Sequence, residues 1–286
     1  MRGPDHWAVA VRRPAGDIHV EAHAIDSITG RHPMLKRPFL RGIIVLGQSL
    51  AIGMRALLIA SNQSTEEDAQ LTSRQMSVTL IVAGLLFVGL FILGPAALFG
   101  WVQHSIGGGV WTNLLEGIFR VALFVGYLWA IGRVKDVHRV FEYHGAEHKT
   151  IAAFEHGAAL EPGAVNDFPK EHVRCGTNFL IIVMLLTVLV FSIFPTPGLA
   201  WRLGSRVIAI PLIAGLSYEA LRLGARFQGA SAMRVLMAPG IWLQKITTQE
   251  PHPDQLEVAI VSFDAVRRAG APAAGGPGGS SPAEGR

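Results

Sequence analysis

Apolar and polar side chains alternate along "WAVAVRRPAGDIHVEAHAI" on either side of Pro14-Ala15-Gly16. Period-two alternation broken by a Pro-Gly turn predicts a β-hairpin, so residues 1–37 hold a small β element. The pattern then changes. From Phe39 to Ser61, "FLRGIIVLGQSLAIGMRALLIAS" is long enough to cross a bilayer, but Arg41, Gln48 and Arg55 interrupt it. Charges cost too much at mid-bilayer for a simple span, and residues 38–61 are expected to form an interfacial or re-entrant amphipathic helix. After the polar "NQSTEEDAQ" comes "SVTLIVAGLLFVGLFILGPAALFGWV", with no charge in it. At about 1.5 Å per residue it crosses about 30 Å of hydrocarbon with some tilt. A second span is expected at "VWTNLLEGIFRVALFVGYLWAIG", ending near Gly132 and carrying Glu116 and Arg120 inside it, so that residues 76–132 hold spans one and two. "FLIIVMLLTVLVFSIFP" and "RVIAIPLIAGLSYEALRLGA", the latter with Pro211 as a kink and Glu219 near its end, supply spans three and four within residues 178–225.

Residues 133–177, between the two pairs of spans, form a loop rich in His and Glu. Residues 226–268 read as an interfacial apolar piece, a Pro-rich turn and a short amphipathic helix with the stripe Leu256, Ala259, Ile260, Phe263 and Val266. Asp254 sits at its N-cap position with Glu257 three residues on, close to a capping-box pattern. The Gly-, Pro-, Ala- and Ser-rich tail, residues 269–286, has nothing to bury and is expected to be disordered. The fold class is therefore mostly α: a polytopic α-helical membrane protein of about four spans with a small N-terminal β-hairpin and cytoplasmic helical segments.

Composition supports a membrane protein. Apolar residues make up 50% of the 286-residue chain and charged residues 16%. The net charge of +4 is then read through topology, and no patch of interleaved basic and aromatic residues points to nucleic acid. Gln103 to Gly109 contains no Lys or Arg, whereas Arg133, Lys135, Arg139, Lys149, Lys170 and Arg174 fall between spans two and three. The positive-inside rule makes that loop cytoplasmic. Basic residues before span one and after span four put both termini there too, in a multi-pass protein of the cell inner membrane. The N-terminus has no apolar core behind its charges and is not a signal peptide. A single cysteine, Cys175, excludes an intramolecular disulfide.

The polar chemistry is concentrated in "EYHGAEHKTIAAFEHG", Glu142 to Gly157. His144, Glu147 and His148 spell H-x-x-E-H, the inverted relative of the zincin pattern. Residues four apart share one helix face, so two imidazoles can hold one metal ion while Glu147 polarises water as general base. Tetrahedral zinc needs further donors. His172 and Cys175, three residues apart ahead of span three, are the best completion, since thiolate plus imidazole suits zinc and a Pro- and Gly-containing loop can fold them back. Glu155 lies within about 20° of the His144 direction but roughly 10 Å beyond His148 along the axis, which makes it a partner behind a ligand rather than a ligand. His156 faces away.

Other readings stand beside this one. The cluster could be a solvated helix face, with Cys175 inert at a membrane boundary. It could be a closed structural zinc site of His144, His148, His172 and Cys175. A metal-free nucleophile pair of His172 and Cys175 lacks an orienting group. Inside the membrane, Glu116 and Arg120 are four apart and Glu219 precedes Arg222 by one turn. Such charges mark either a proton or substrate path, or an internal pair and a snorkelling pair.

"YHGAEHKTI" with a following "FE", "RCGT" at the head of a span, "LQKITTQEP" with "QLEVAI", "AVAVRRPAGDI" and "RGIIVLGQSLAIGMRAL" occur in this order. Together they resemble the bacterial YqhQ-like family of membrane proteins, over nearly everything from Trp7 to Val266. The resemblance implies a metal-dependent enzyme and strengthens the metal reading of His144, Glu147, His148, His172 and Cys175. Members begin with a Gly-rich segment ahead of the hairpin, so a start upstream of Met1 is expected. The leading expectation is a zinc or other divalent-metal hydrolase at the cytoplasmic membrane face, acting on a lipid-linked or membrane-adjacent peptide substrate. The competing expectation is a non-enzymatic scaffold or transporter with a structural metal site.

Overall fold

The computed structural model of the chain describes residues 1–26, 37–64, 72–106, 109–173, 175–193, 199–227 and 230–271. The tail beyond residue 271, expected to be disordered, lies outside the described residues. The hairpin is present: β1 (His6–Arg12) pairs antiparallel with β2 (Ile18–Ala24), Trp7 facing His23 and Arg12 facing Ile18 across the ladder. Gly16 closes the turn at φ 94°, a left-handed conformation that glycine adopts without penalty.

Ten helices follow among the described residues. Helix α1 is Leu40–Ser64; α2 (Ser73–Val88), a π turn (Gly89–Leu93) and α3 (Gly94–Ile106) run on from one another; α4 is Val110–Ile131. Then come α5 (Lys135–Glu155), the short α6 (Pro162–Asn166), α7 (Gly176–Ile193), α8 (Leu199–Arg226), α9 (Ser231–Thr247) and α10 (Pro253–Gly270). Helix α10 begins one residue before Asp254, the expected N-cap. The carboxamide of Gln255 instead accepts the backbone N–H of His252 at 2.8 Å, and Pro253 takes the first helical position, where its missing N–H costs nothing.

Two cores organise these elements. One lies under the polar segments, where Ala146 and Ala153 of α5, Val165 of α6, and Leu256, Ala259 and Ile260 of α10 close on one another. Three of the stripe residues expected on α10 are thus core. The hairpin packs on the same body: Ser262 donates to the Ala8 carbonyl at 3.3 Å and Arg12 meets Glu257 at 2.5 Å. The second core joins Phe91 of the π turn, Phe124 of α4, Ile181 and Ile182 of α7, and Met237 and Leu243 of α9. Helix α7 is its centre, packing against α4, α8 and α9.

Among the described residues, three helices are long and apolar enough to cross a membrane: Leu40–Ser64, Ser77–Val102 and Val110–Ile131. This corrects the expected four. The second and third coincide with expected spans one and two. Expected span three is apolar over Gly176–Ser192 only, a shorter run, and α8 carries Glu219, Arg222 and Arg226 in its final turns. Helix α1, expected to be interfacial or re-entrant, is one of the three by length and apolarity, because two arginines spread over 25 residues leave a long apolar window.

Candidate metal centre

Helix α5 carries most of the polar cluster, and one glycine sets how it docks. A Cβ on Gly145 would stand 2.1 Å from the carbonyl oxygen of Gln249, so the segment after α9 lies directly against the α5 backbone. The backbone N–H of Gln249 donates to the Phe141 carbonyl at 2.9 Å in the same contact. This close approach brings the carbonyl of Thr247 to His144 Nδ1 at 2.8 Å. One turn along, His148 Nδ1 lies 2.6 Å from the carbonyl of Lys170, in the loop that folds back as expected. A carbonyl oxygen only accepts, so both rings carry a proton on Nδ1, which leaves Nε2 free to donate to a thiolate when protonated or to offer a lone pair to a metal when not.

Those Nε2 atoms converge on the cysteine. His144 Nε2 is 3.1 Å from Cys175 Sγ, and the His144 and His148 ring centroids are 4.4 Å apart. One donor atom from each of His144, His148 and Cys175 lies within 4.8 Å of the other two, a group able to hold a metal ion. The sulfur sits at the start of α7, where the Thr177 backbone N–H donates to it at 3.4 Å and the Thr177 hydroxyl lies 3.0 Å away. Burial pushes the thiol up, but hydrogen bonds from His144 and His148, aided by their charge, overcome it and bring Cys175 down to about 5. Burial likewise opposes a charge on His144. Its bond to Cys175 outweighs this, and its pKa is raised.

His172 stands apart from the trio. Its Nε2 meets Glu155 Oε2 at 3.2 Å, its ring centroid is 5.9 Å from that of His148, and its backbone is clasped by Gln244, which accepts from His172 N at 2.7 Å and donates to His172 O at 2.9 Å. Glu155, the last residue of α5, therefore reaches His172. The carboxylate of Glu147 is 40% exposed, 3.8 Å from the Met1 ammonium, and its charge acts on His144. His156, just past the last residue of α5, donates from Nδ1 to the Ala152 carbonyl at 2.8 Å and packs against Phe168.

The charged residues in the apolar helices have structural partners. Arg120 Nη2 donates to Glu116 Oε1 at 2.7 Å, and Arg120 Nε donates at 2.8 Å to the carbonyl of Phe91 in the π turn. Glu219 pairs with Arg41 rather than chiefly with Arg222: Arg41 Nε donates at 2.8 Å, Arg41 Nη2 binds the other oxygen, and the Phe39 backbone N–H adds a third bond at 3.2 Å. The expected internal and snorkelling pairs are thus one internal pair and one long-range clamp between α1 and α8.

Sequence reasoning missed Gln244, fully buried, which also donates to Asn178 Oδ1 at 2.9 Å and so ties α9 to α7 beneath the site. A glutamine within an otherwise amphipathic run was its one signal. Lys149, also buried, donates to the Asn166 carbonyl at 2.7 Å and lies 3.1 Å from Glu250. Burial raises the Glu250 carboxyl, but Lys149 and Lys170 outweigh this and lower it.

These features define a mostly helical membrane protein whose polar body gathers two imidazoles and a thiol at the head of an apolar helix. The chain belongs to the family described as "Protein of unknown function (DUF1385)", which matches residues 37–269 and hence the whole centre. It is 30% identical over 282 residues to "Uncharacterized protein YqhQ" of Bacillus subtilis (strain 168), an alignment covering 93% of this chain and 88% of that protein. No solved structure matches it.

Proposed function

We propose that His144, His148 and Cys175 hold a divalent metal, zinc by the character of the donors, and that the protein is a metal-dependent hydrolase working at the cytoplasmic face of the inner membrane. The observation that supports this most is the pair of carbonyl-anchored imidazoles, whose Nδ1–H bonds turn both Nε2 atoms toward one acidified thiol. Neutral imidazole and thiolate are donors that suit zinc, and three protein donors leave a fourth position for water or substrate, as in catalytic rather than closed sites. A metal held there supplies Lewis acidity.

The chain's own residues supply orientation and proton handling. The carbonyls of Thr247 and Lys170 fix the two rings, and Thr177 steadies the sulfur. Glu147, half-exposed and one turn from His144, is the proposed proton acceptor, and Glu155 orients His172 beside His148. The substrate is lipid-linked or a peptide close to the bilayer, approached where α7 enters the apolar part of the fold. A Glu147→Gln variant is expected to keep its metal and to fail in cellular complementation; full complementation removes the hydrolase reading, and metal retained only as a requirement for stability moves the protein to a non-enzymatic scaffold or transporter.

A second reading has one observation in its favour. Cys175 and His144 lie within hydrogen-bond reach while the Thr247 carbonyl orients the ring, the geometry of an activated thiol nucleophile. Chelation separates the two: it abolishes activity if the metal acts, and leaves it intact but sensitive to thiol alkylation if the sulfur attacks.

A further inference from the structure

We infer that α1 does not cross the membrane but lies along its surface, its polar side on the hairpin and its apolar side in the lipid interface. The argument is one of parity, independent of the metal centre. The hairpin and the α5–α10 body are in direct contact: Arg12 meets Glu257 at 2.5 Å, Ser262 donates to Ala8, and Met1 lies 3.8 Å from Glu147. Both must therefore occupy the same side of any bilayer. Between β2 and α5 the chain passes through all three helices that are long and apolar enough to cross. A chain that crosses by helices and returns to its starting side does so an even number of times. Three is odd, so one of them does not cross.

The bonds identify which one. Gln48 donates to the Asp26 carbonyl at 3.0 Å, Arg2 bonds to the Ser49 hydroxyl, and Arg13 Nε donates to Gln63 Oε1 at 2.8 Å. The hairpin region thus follows α1 from Gln48 to Gln63, about 22 Å of helix. If α1 crossed, Arg2, Arg13 and the polar edge of the hairpin would have to enter the hydrocarbon with it, where unsatisfied backbone and charged side chains are not tolerated. Among the described residues the hairpin strands pack on α1 and α10, while the continuous run of α2, π turn and α3 shows bare apolar side chains such as Leu85 and Leu86, each 68% exposed. On α1 the unpartnered side is apolar too: Leu50 and Leu57, seven residues apart on one face, are 69% and 60% exposed. A helix with a bonded polar side and a bare apolar side is the interfacial type. The Arg41–Glu219 clamp then fixes its first turn to α8.

The test uses the full-length protein in membranes, with single cysteines introduced by Ala15→Cys in the hairpin turn, Ser64→Cys at the end of α1, Trp111→Cys at the start of α4 and Val140→Cys on α5. The wild type, whose own Cys175 is buried, is the blank. A membrane-impermeant maleimide applied to right-side-out and inverted vesicles is expected to reach positions 15, 64 and 140 from one face and position 111 from the other. If α1 crosses, position 15 groups with 111 and opposite to 64, which overturns the inference, as does any other grouping. Nitroxides placed by Leu50→Cys and Leu57→Cys are expected to sit in lipid at equal depth. A depth difference approaching the about 10 Å of helix between them, or exposure of both to water, overturns it as well.

Discussion

Gly145→Ala is the smallest change that reaches the centre through the fold. The added methyl would stand 2.1 Å from Gln249 O, and that oxygen would have to retreat by about 0.9 Å to reach even 3.0 Å. The obstacle is backbone, not the end of a flexible side chain, so α5 and the 247–249 segment must separate. Separation weakens the Gln249–Phe141 hydrogen bond, worth about 1 kcal/mol, and overpacking adds about 1–3 kcal/mol. Alanine returns about 1 kcal/mol through its better helix propensity. The net loss is about 1–3 kcal/mol, a fall in Tm of about 2–12 °C. The same movement draws the Thr247 carbonyl from His144 Nδ1, and loss of such an anchor weakens metal binding by about 10–100-fold. Thermal unfolding in detergent and competitive zinc titration read the two effects separately. Gly163→Ala in α6, where a Cβ meets nothing within 4 Å, is the control and is expected to leave zinc affinity unchanged without lowering Tm. A Gly145→Ala protein with wild-type Tm and zinc affinity would refute both the docking and its link to the centre.

Further outcomes follow from the same geometry. In metal-free protein the thiolate absorbance of Cys175 is expected to titrate near pH 5, and His144→Ala should move the midpoint up toward the ordinary thiol value. Because the folded pKa lies below the unfolded one, the thiolate's contribution to stability is present above the ordinary thiol range and is lost progressively as pH falls to about 5; a metal-free protein equally stable at both ends of that window would contradict the assignment. Arg120→Leu leaves Glu116 buried without this cation and removes the Arg120 bond to the Phe91 carbonyl, and is expected to destabilise by about 3–5 kcal/mol in chemical denaturation, more than the paired replacement with Glu116→Leu. Glu219→Gln removes the charge that clamps Arg41, and limited proteolysis within α1 should accelerate while zinc content stays constant.

Local pattern made much of this legible. The alternation around Pro14-Ala15-Gly16 was enough for the hairpin, because register and turn are set by neighbours in sequence. The uncharged run at 77–102, and the run at 110–131 whose Glu116 and Arg120 pair with each other, are long apolar helices for the same reason. His144 and His148 share a face by helical period alone, and the loop containing Pro162 and Pro169 does return Cys175 to them. What sequence did not carry is long-range. Arg41 looked like an interruption of a span until Glu219, far along the chain, proved to be its partner. His172 looked equivalent to the other imidazoles, yet Glu155 and Gln244 hold it aside. The carbonyls of Thr247 and Lys170 that set the tautomers belong to the backbone and leave no mark on residue identity.

The most direct test of the central claim is cobalt substitution of the purified protein, read by its visible and near-ultraviolet spectrum. Wild type is expected to take up one equivalent and to give a thiolate-to-metal charge-transfer band with tetrahedral ligand-field absorption. Cys175→Ser should lose the band, His148→Ala should lose the bound metal, and His172→Ala should keep both. A wild type that takes up no stoichiometric cobalt, or a spectrum indifferent to Cys175→Ser, would contradict the account.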